Sequence, residues 1–342
     1  MPTAITVRCA DGFTHSASSL DGRGRCSVPP ADARAVHAWR SGSLSQTDAV
    51  IVPSELLGGA LANYVSDRVN LHLCSDSFVF RWRPTAPAAG GERFTKAQAL
   101  ANRRDPPVSR EAAVLRWLHD THPELATTTV PAPKVVGEVT EGGAGFLLTE
   151  GLAGRSYGDL QSTAYQDLLA STGPMSKQAE QDAISRVVRS NAVALRRLHD
   201  SVSIAGCPFI ADIPSELAVA RARLRAGVLG NLRVAAEEHG RGDEELDRLE
   251  ALAPSMEAGL DLVFTHGDYC SPNVLHGESL EVTGVVDWGY AGVADRWRDL
   301  VKAQWSVGYN YGEEWGQRWL EWYGAERDEK KATYYDDITN FL

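Results

Sequence analysis

No apolar run in this 342-residue sequence approaches the roughly 18 residues that a membrane-spanning helix needs. The first residues, Met1-Pro-Thr-Ala-Ile-Thr-Val-Arg-Cys-Ala, have neither the basic start nor the continuous apolar core of a secretion signal. Cysteine is scarce: Cys9, Cys26, Cys74, Cys207 and Cys270 are an odd number, widely scattered, with no Cys-x-x-Cys and no histidines at zinc spacing. A disulfide framework and a structural zinc site are therefore not what organises the chain, and reduced thiols in a cytoplasmic protein are expected. Positive charge is in deficit, with 34 Lys and Arg against 45 Asp and Glu, a formal net charge of −11. That balance disfavours nucleic acid and membrane as partners and leaves room for a small cationic substrate.

Hydrophobic residues make up 43% of the chain, enough for a substantial core, and the length allows two lobes of roughly 100–200 residues. Residues 1–50 read as an N-terminal extension, rich in Ser, Gly, Asp and Arg up to Pro29-Pro30, with a short helix over 31–40. From there to residue 150 the pattern is β-prone. Ala60–Val65, Asn70–Cys74 and Phe78–Trp82 suggest an antiparallel hairpin and its neighbour, whereas Pro84–Pro107 reads as a long loop with a short helix near 96–101. Val108–Leu118 is helical, and Glu111 lies on the same face as Leu115 and Leu118. A carboxylate there needs a partner, for which Arg81 on the preceding strand is the natural candidate. Val135–Val139 and Phe146–Glu150 complete a small β-rich lobe with one packed helix. Residues 151–342 turn mainly helical, with long patterns ending near His199 and covering 214–225, 244–256, 296–308, 313–323 and 330–342.

The chemistry concentrates at Phe264-Thr-His266-Gly267-Asp268-Tyr-Cys270-Ser-Pro-Asn273-Val-Leu275, followed by a turn and Val282-Thr-Gly-Val-Val-Asp287-Trp-Gly289. Phosphoryl transfer needs a carboxylate to orient and deprotonate an incoming hydroxyl, and oxygen-bearing side chains to hold Mg²⁺ on nucleotide phosphates. Asp268, Asn273 and Asp287 have those types in that order, and protein kinases use the same Asp-to-Asn separation followed by Asp-x-Gly. A lone His-Gly-Asp would be weak. The joint pattern is strong, and two strands with ordinary turn residues explain it poorly.

These motifs, with Arg221, Glu237-Glu238-His239, Gly292-Val-Ala-Asp295-Arg, Asp299 and Gly312-Glu-Glu-Trp315, resemble the aminoglycoside phosphotransferases, specifically the 3′-phosphotransferase branch, over residues 60–342. The resemblance implies an α+β, two-lobed protein-kinase-like fold, with residues 51–150 as a nucleotide-binding lobe and 151–342 as a catalytic and substrate-binding lobe. It implies ATP or GTP and Mg²⁺, with Asp268 as catalytic base and Asn273 and Asp287 as metal ligands. The loop around Ser66 would close over the phosphates, and the segment Thr149-Glu-Gly151 would meet the adenine through its main chain. Glu237, Glu238, Trp305, Tyr309 and the terminal Leu342 would face the acceptor.

Three departures from the family stand out. The family's third-strand lysine, which touches the phosphates and pairs with a helix glutamate, is represented by Arg81, expected to pair with Glu111. Tyr290 stands where an arginine follows the magnesium Asp-x-Gly. The helix after Asp299 offers Trp305, Ser306, Tyr309 and Asn310 where charged residues are expected, a less anionic and more aromatic pocket. Two other readings therefore accompany that of an aminoglycoside kinase: a kinase for another hydroxylated metabolite, and a degenerate binding protein without turnover. A metal-dependent hydrolase built on His266 and Asp268 lacks further His and Asp ligands. The sequence is silent on oligomeric state.

Overall fold

The computed structural model describes residues 60–61, 63–70, 77–100, 105–141, 143–156, 177–227 and 242–342. Cys9, Cys26, Cys74, Glu237, Glu238 and the helix expected over 31–40 lie outside them. The chain divides into two compact units, the first built from residues up to Arg116 with Pro133–Gly151, the second from Trp117–Ala132 with Leu152–Leu342.

The first unit is a five-stranded antiparallel sheet in the order β1-β2-β3-β5-β4, made of Tyr64–Asn70, Ser77–Pro84, Arg93–Ala99, Ala144–Glu150 and Val135–Glu141. On one face Leu61, Trp82, Ala97, Ala144, Phe146 and Leu148 form a closed apolar cluster. The buried Trp82 indole donates to Thr95 Oγ1 at 2.8 Å, which satisfies the one polar atom this large side chain brings inside. Helix α1, Val108–Thr121, is tied to β3 where it begins. Gln98 Oε1 accepts the Val108 N–H at 3.2 Å, and its amide nitrogen donates to the carbonyls of Asp105 and Pro106. A Cβ on Gly145 would lie 2.7 Å from Val108 Cγ2, so glycine on β5 permits this close approach.

Strand β3 corrects the expectation of a loop and short helix over Pro84–Pro107. Its alternation is Thr95 and Ala97 toward the apolar cluster, Lys96 and Gln98 toward α1. The face toward α1 is partly buried yet carries the polar Lys96 and Gln98, so no apolar periodicity marks the strand. Ser66, expected in a loop, lies within β1 opposite Trp82, because the strand runs on to Asn70.

The second unit holds helices α2 (Lys177–Ser201), α3 (Ile213–Ala226), α4 (Gly242–Glu257), α5 (Trp297–Tyr311), α6 (Glu313–Tyr323) and α7 (Glu329–Thr339). Asp212 caps α3 by accepting the Ser215 N–H, and Asp328 caps α7 by accepting from Lys330 and Lys331. Its strands form two small sheets: β7 (Leu262–Thr265) with β10 (Gly292–Asp295), and the order β6-β8-β9 from Arg155–Ser156, Val274–His276 and Val282–Val285. Trp297, Trp315 and Trp319 are core residues; Trp319 donates to Asn191 Oδ1 at 2.8 Å.

Candidate active site

In the first unit the lysine and the glutamate find each other. Lys96 Nζ lies 2.9 Å from Glu111 Oε2, and both side chains are largely shielded. The third-strand lysine is therefore present as Lys96, which forms an ion pair with Glu111. Arg81 stands on β2, opposite Phe94 and on the same sheet face as Lys96, so the sequence placed the charge on the right face but the wrong strand. At the end of β5, Thr149 pairs with Phe94, and the Gly151 N–H donates to Glu92 O at 2.8 Å. A Cβ on Gly151 would lie 2.9 Å from both that oxygen and the Phe94 ring, which requires glycine here.

In the second unit β7 ends at Thr265 and delivers His266-Gly267-Asp268. Gly267 turns the chain with φ +84°, and a side chain there would run into Arg298 Nη1 and the Tyr290 carbonyl. Helix α5 holds the loop that follows with one face, at positions i, i+3 and i+7. Asp299 accepts the His266 N–H at 2.7 Å on Oδ2 and the Gly267 N–H at 2.6 Å on Oδ1. Lys302 Nζ meets Asp268 Oδ1 at 3.1 Å, and Ser306 Oγ accepts the Ser271 N–H at 2.9 Å.

Asp299 is fully buried. Burial works to raise its pKa, but the hydrogen bond from His199 and the nearby charge of Arg298 outweigh it and hold the carboxyl below its usual value. A relay supports it: Arg296 donates to the Tyr323 hydroxyl at 2.8 Å, that hydroxyl is placed to donate to His199 Nδ1 at 2.7 Å, and His199 Nε2 meets Asp299 at 3.0 Å. Arg298, also buried, pairs with Glu216 and donates to Thr265 Oγ1 and to the Tyr290 carbonyl at 3.0 Å.

His266 is a positioning residue. Its Nδ1 accepts the Asp268 N–H at 3.3 Å, so the proton sits on Nε2, which donates to Val286 O at 3.0 Å. The Val286 N–H in turn donates to Asn273 O at 2.9 Å, so the residue before Asp287 is held through both its N–H and its carbonyl. Asp287 itself is left-handed, φ 66° and ψ 61°, a conformation that aspartate tolerates and that re-aims its side chain at the strand end. Asn273 Nδ2 donates to Asp268 O at 2.9 Å and to Asp268 Oδ2 at 3.2 Å, which turns its amide oxygen outward. An amide oxygen and a carboxylate held by adjacent main chain are hard donors that suit Mg²⁺, which takes its remaining ligands from water and phosphate.

Trp305 and Tyr309 lie one and two turns beyond Lys302 on α5, 54% and 77% exposed, stacked with ring centroids 5.5 Å apart. Leu342 donates its N–H to Thr339 O at 3.2 Å, next to the buried Phe341. Burial, reinforced by the Asp268 charge, pushes the Cys270 thiol well up, which makes it inert filling beside the loop. Lys96 and Lys302 were both missed in the sequence. The available signals were a lysine on a polar-alternating strand and a lysine three residues after Asp299 and four before Ser306.

The model of the phosphotransferase enzyme family matches residues 89–334. An aminoglycoside 3′-phosphotransferase from Niallia circulans is 30% identical over 70% of this chain and 85% of its own length, and one from Streptomyces fradiae is 30% identical over 69% and 80%. Among solved structures, an aminoglycoside phosphotransferase from Streptomyces rimosus in complex with ADP and streptomycin superposes with a TM-score of 0.59 at 23% identity, over 84% of this chain and 95% of that one. That likeness shows the two-lobed, kinase-like α+β fold. With a family match across most of its length, this chain belongs to the phosphotransferase enzyme family, whose members move a phosphoryl group to a small-molecule hydroxyl.

Proposed function

We propose that this protein transfers the γ-phosphoryl group of ATP to a hydroxyl of an aminoglycoside-like acceptor. The observation that carries the reading is the catalytic loop: Asp268 is oriented by Asn273 Nδ2 while Asp299 pins the main chain just before it. The complex of the Streptomyces rimosus protein with ADP and streptomycin, and the curated 3′-phosphotransferases, support the nucleotide and the acceptor class.

Asp268 takes the proton of the acceptor hydroxyl as it attacks the γ-phosphorus. Asn273 Oδ1 and Asp287 would hold Mg²⁺, which when bound supplies neutralisation of phosphate charge. Lys96, steadied by Glu111, is the phosphate-binding cation of the first unit, and Ser66, Arg81 and the Thr149–Gly151 main chain contribute to nucleotide binding. Glu237, Glu238, Trp305, Tyr309 and Leu342 contribute to the acceptor side. The Lys96–Glu111 pair removes the main motive for reading the chain as a degenerate binder.

The test is ADP release with Mg²⁺·ATP over kanamycin, streptomycin and other hydroxylated amines, repeated with Asp268→Ala. Turnover on one of these acceptors is expected from the wild type, with a loss of at least about 10²-fold in the variant. Turnover that survives the substitution removes Asp268 from its role. A neutral hydroxylated compound turned over in place of every aminoglycoside would favour the second reading, for which the exposed Trp305–Tyr309 pair speaks.

A further inference from the structure

We propose that Lys302 is a further catalytic residue, an ammonium carried by α5 that holds the transferring phosphoryl group beside Asp268. This rests on the reading of Asp268 as the base.

Three side chains on one face of α5 meet three successive parts of the catalytic loop, but not in the same way. Asp299 and Ser306 are buried and accept main-chain N–H groups. These are contacts that fix loop shape. Lys302 meets a side-chain carboxylate instead, and its side chain keeps 28% of its exposure while that of Asp268 keeps 25%. Asp268 is its only ion-pair partner among the described residues. An ammonium has three N–H donors, so two remain for a ligand that approaches from the open side. The Trp305 ring, 5.9 Å from Nζ, flanks it and favours a cation at that place. The charge of Asp268 raises the pKa of Lys302, so the ammonium is present throughout the neutral range.

Geometry then limits what that open side can face. An acceptor hydroxyl deprotonated by Asp268 must come within about 3 Å of its carboxylate. The phosphorus it attacks must stand about 3–3.5 Å beyond the hydroxyl oxygen. Nζ, 3.1 Å from Asp268 Oδ1 and open on its other side, is placed to reach the non-bridging oxygens on which charge is spread. In the step itself, a bond forms between the acceptor oxygen and the γ-phosphorus, and the bond from that phosphorus to the β,γ-bridging oxygen breaks. ADP leaves with the electron pair, and the hydroxyl proton passes to Asp268. Lys302 donates hydrogen bonds to the moving group and changes no covalent bond. A donor pre-placed in this way stabilises the transition state without reorganising.

The test uses the full chain and the variants Lys302→Ala and Lys302→Gln, the second keeping length and polarity in case the first folds poorly. Melting is followed with Mg²⁺·ADP alone and with aluminium fluoride added, the fluoride complex standing in for the transferring phosphoryl group. The wild type is expected to gain stabilisation from ADP and more from the fluoride complex. Both variants should keep the first shift and lose the second. On an acceptor that the wild type turns over, kcat should fall about 10²-fold with the acceptor KM within about threefold, and ethylammonium should restore part of the rate to Lys302→Ala. The inference is overturned if the wild type shows no fluoride increment, if the variants retain it, or if kcat stays within about threefold of wild type. A Lys302-dependent increment with no acceptor turned over would leave the inference standing and sink the acceptor reading. Absence of any shift with ADP would sink both.

Discussion

Lys96 Nζ stands 2.9 Å from Glu111 Oε2, joining the third strand of the first unit to its helix. Glu111 belongs to a helix face whose other members, Ala112, Leu115 and Leu118, are completely buried. Lys96→Met would take this ion pair from a buried carboxylate, with an expected loss of about 3 kcal/mol in urea unfolding. The double variant Lys96→Met/Glu111→Met should recover most of that stability, yet show the same impaired turnover as the single one. Recovery of turnover together with stability would show that the pair serves the fold alone.

Gly267 cannot be replaced. Alanine there would take φ +84° and bring its Cβ within 2.5 Å of the Tyr290 carbonyl and against Arg298, a buried side chain already paired with Glu216. Gly267→Ala is expected to lose more than about 3 kcal/mol and all measurable turnover, whereas Gly206→Ala, also at positive φ but in open space, should cost only about 1 kcal/mol. Equal melting points for the two variants would contradict the crowding.

Tyr323 acts on the catalytic loop through His199 and Asp299. Tyr323→Phe removes the partner of His199 Nδ1 inside the protein, at an expected cost of about 1–3 kcal/mol. It should also lower kcat several-fold with little change in nucleotide affinity, since it touches the loop and not the ligand. A stability loss with kcat intact would confine the relay to the fold.

Asp299 couples stability to acid. Its carboxyl is held below the ordinary range, so its contribution is present above about pH 3.9, the unfolded value, and is lost as pH falls through the lowered folded value. Asp299→Asn should therefore be markedly less stable than wild type at pH 7, with the gap narrowing below about pH 4 in urea titrations. A gap of constant size down to pH 3 would contradict the shift.

The helices of the second unit were legible because each buries one apolar face, and the 3.6-residue period survives in α2, α5 and α6. The candidate site residues were legible for a different reason: Asp268, Asn273 and Asp287 sit within one short strand-loop-strand segment, so their spacing is local. Strand β3 was not legible, because its helix-facing side carries Lys96 and Gln98, polar groups whose partners are 15 and 10 residues further along. Arg81 took the lysine's place in the sequence reading since it stands on the more obviously β-prone strand, and only the β2-β3 register shows both residues on one face.

The amino-acid sequence alone brought the candidate chemistry together, because residue types at fixed short separations are enough to suggest a base and a pair of oxygen ligands. It also determined the division into β-rich and helical parts, which follows from local periodicity. The tertiary structure alone decided which cations serve those residues. Lys96 reaches Glu111 across a strand-helix contact, and Lys302 reaches Asp268 because α5 packs one face along the catalytic loop. An ion pair is a matter of a few ångströms in space, and a separation of 15 or 34 positions carries no trace of it until the chain has folded.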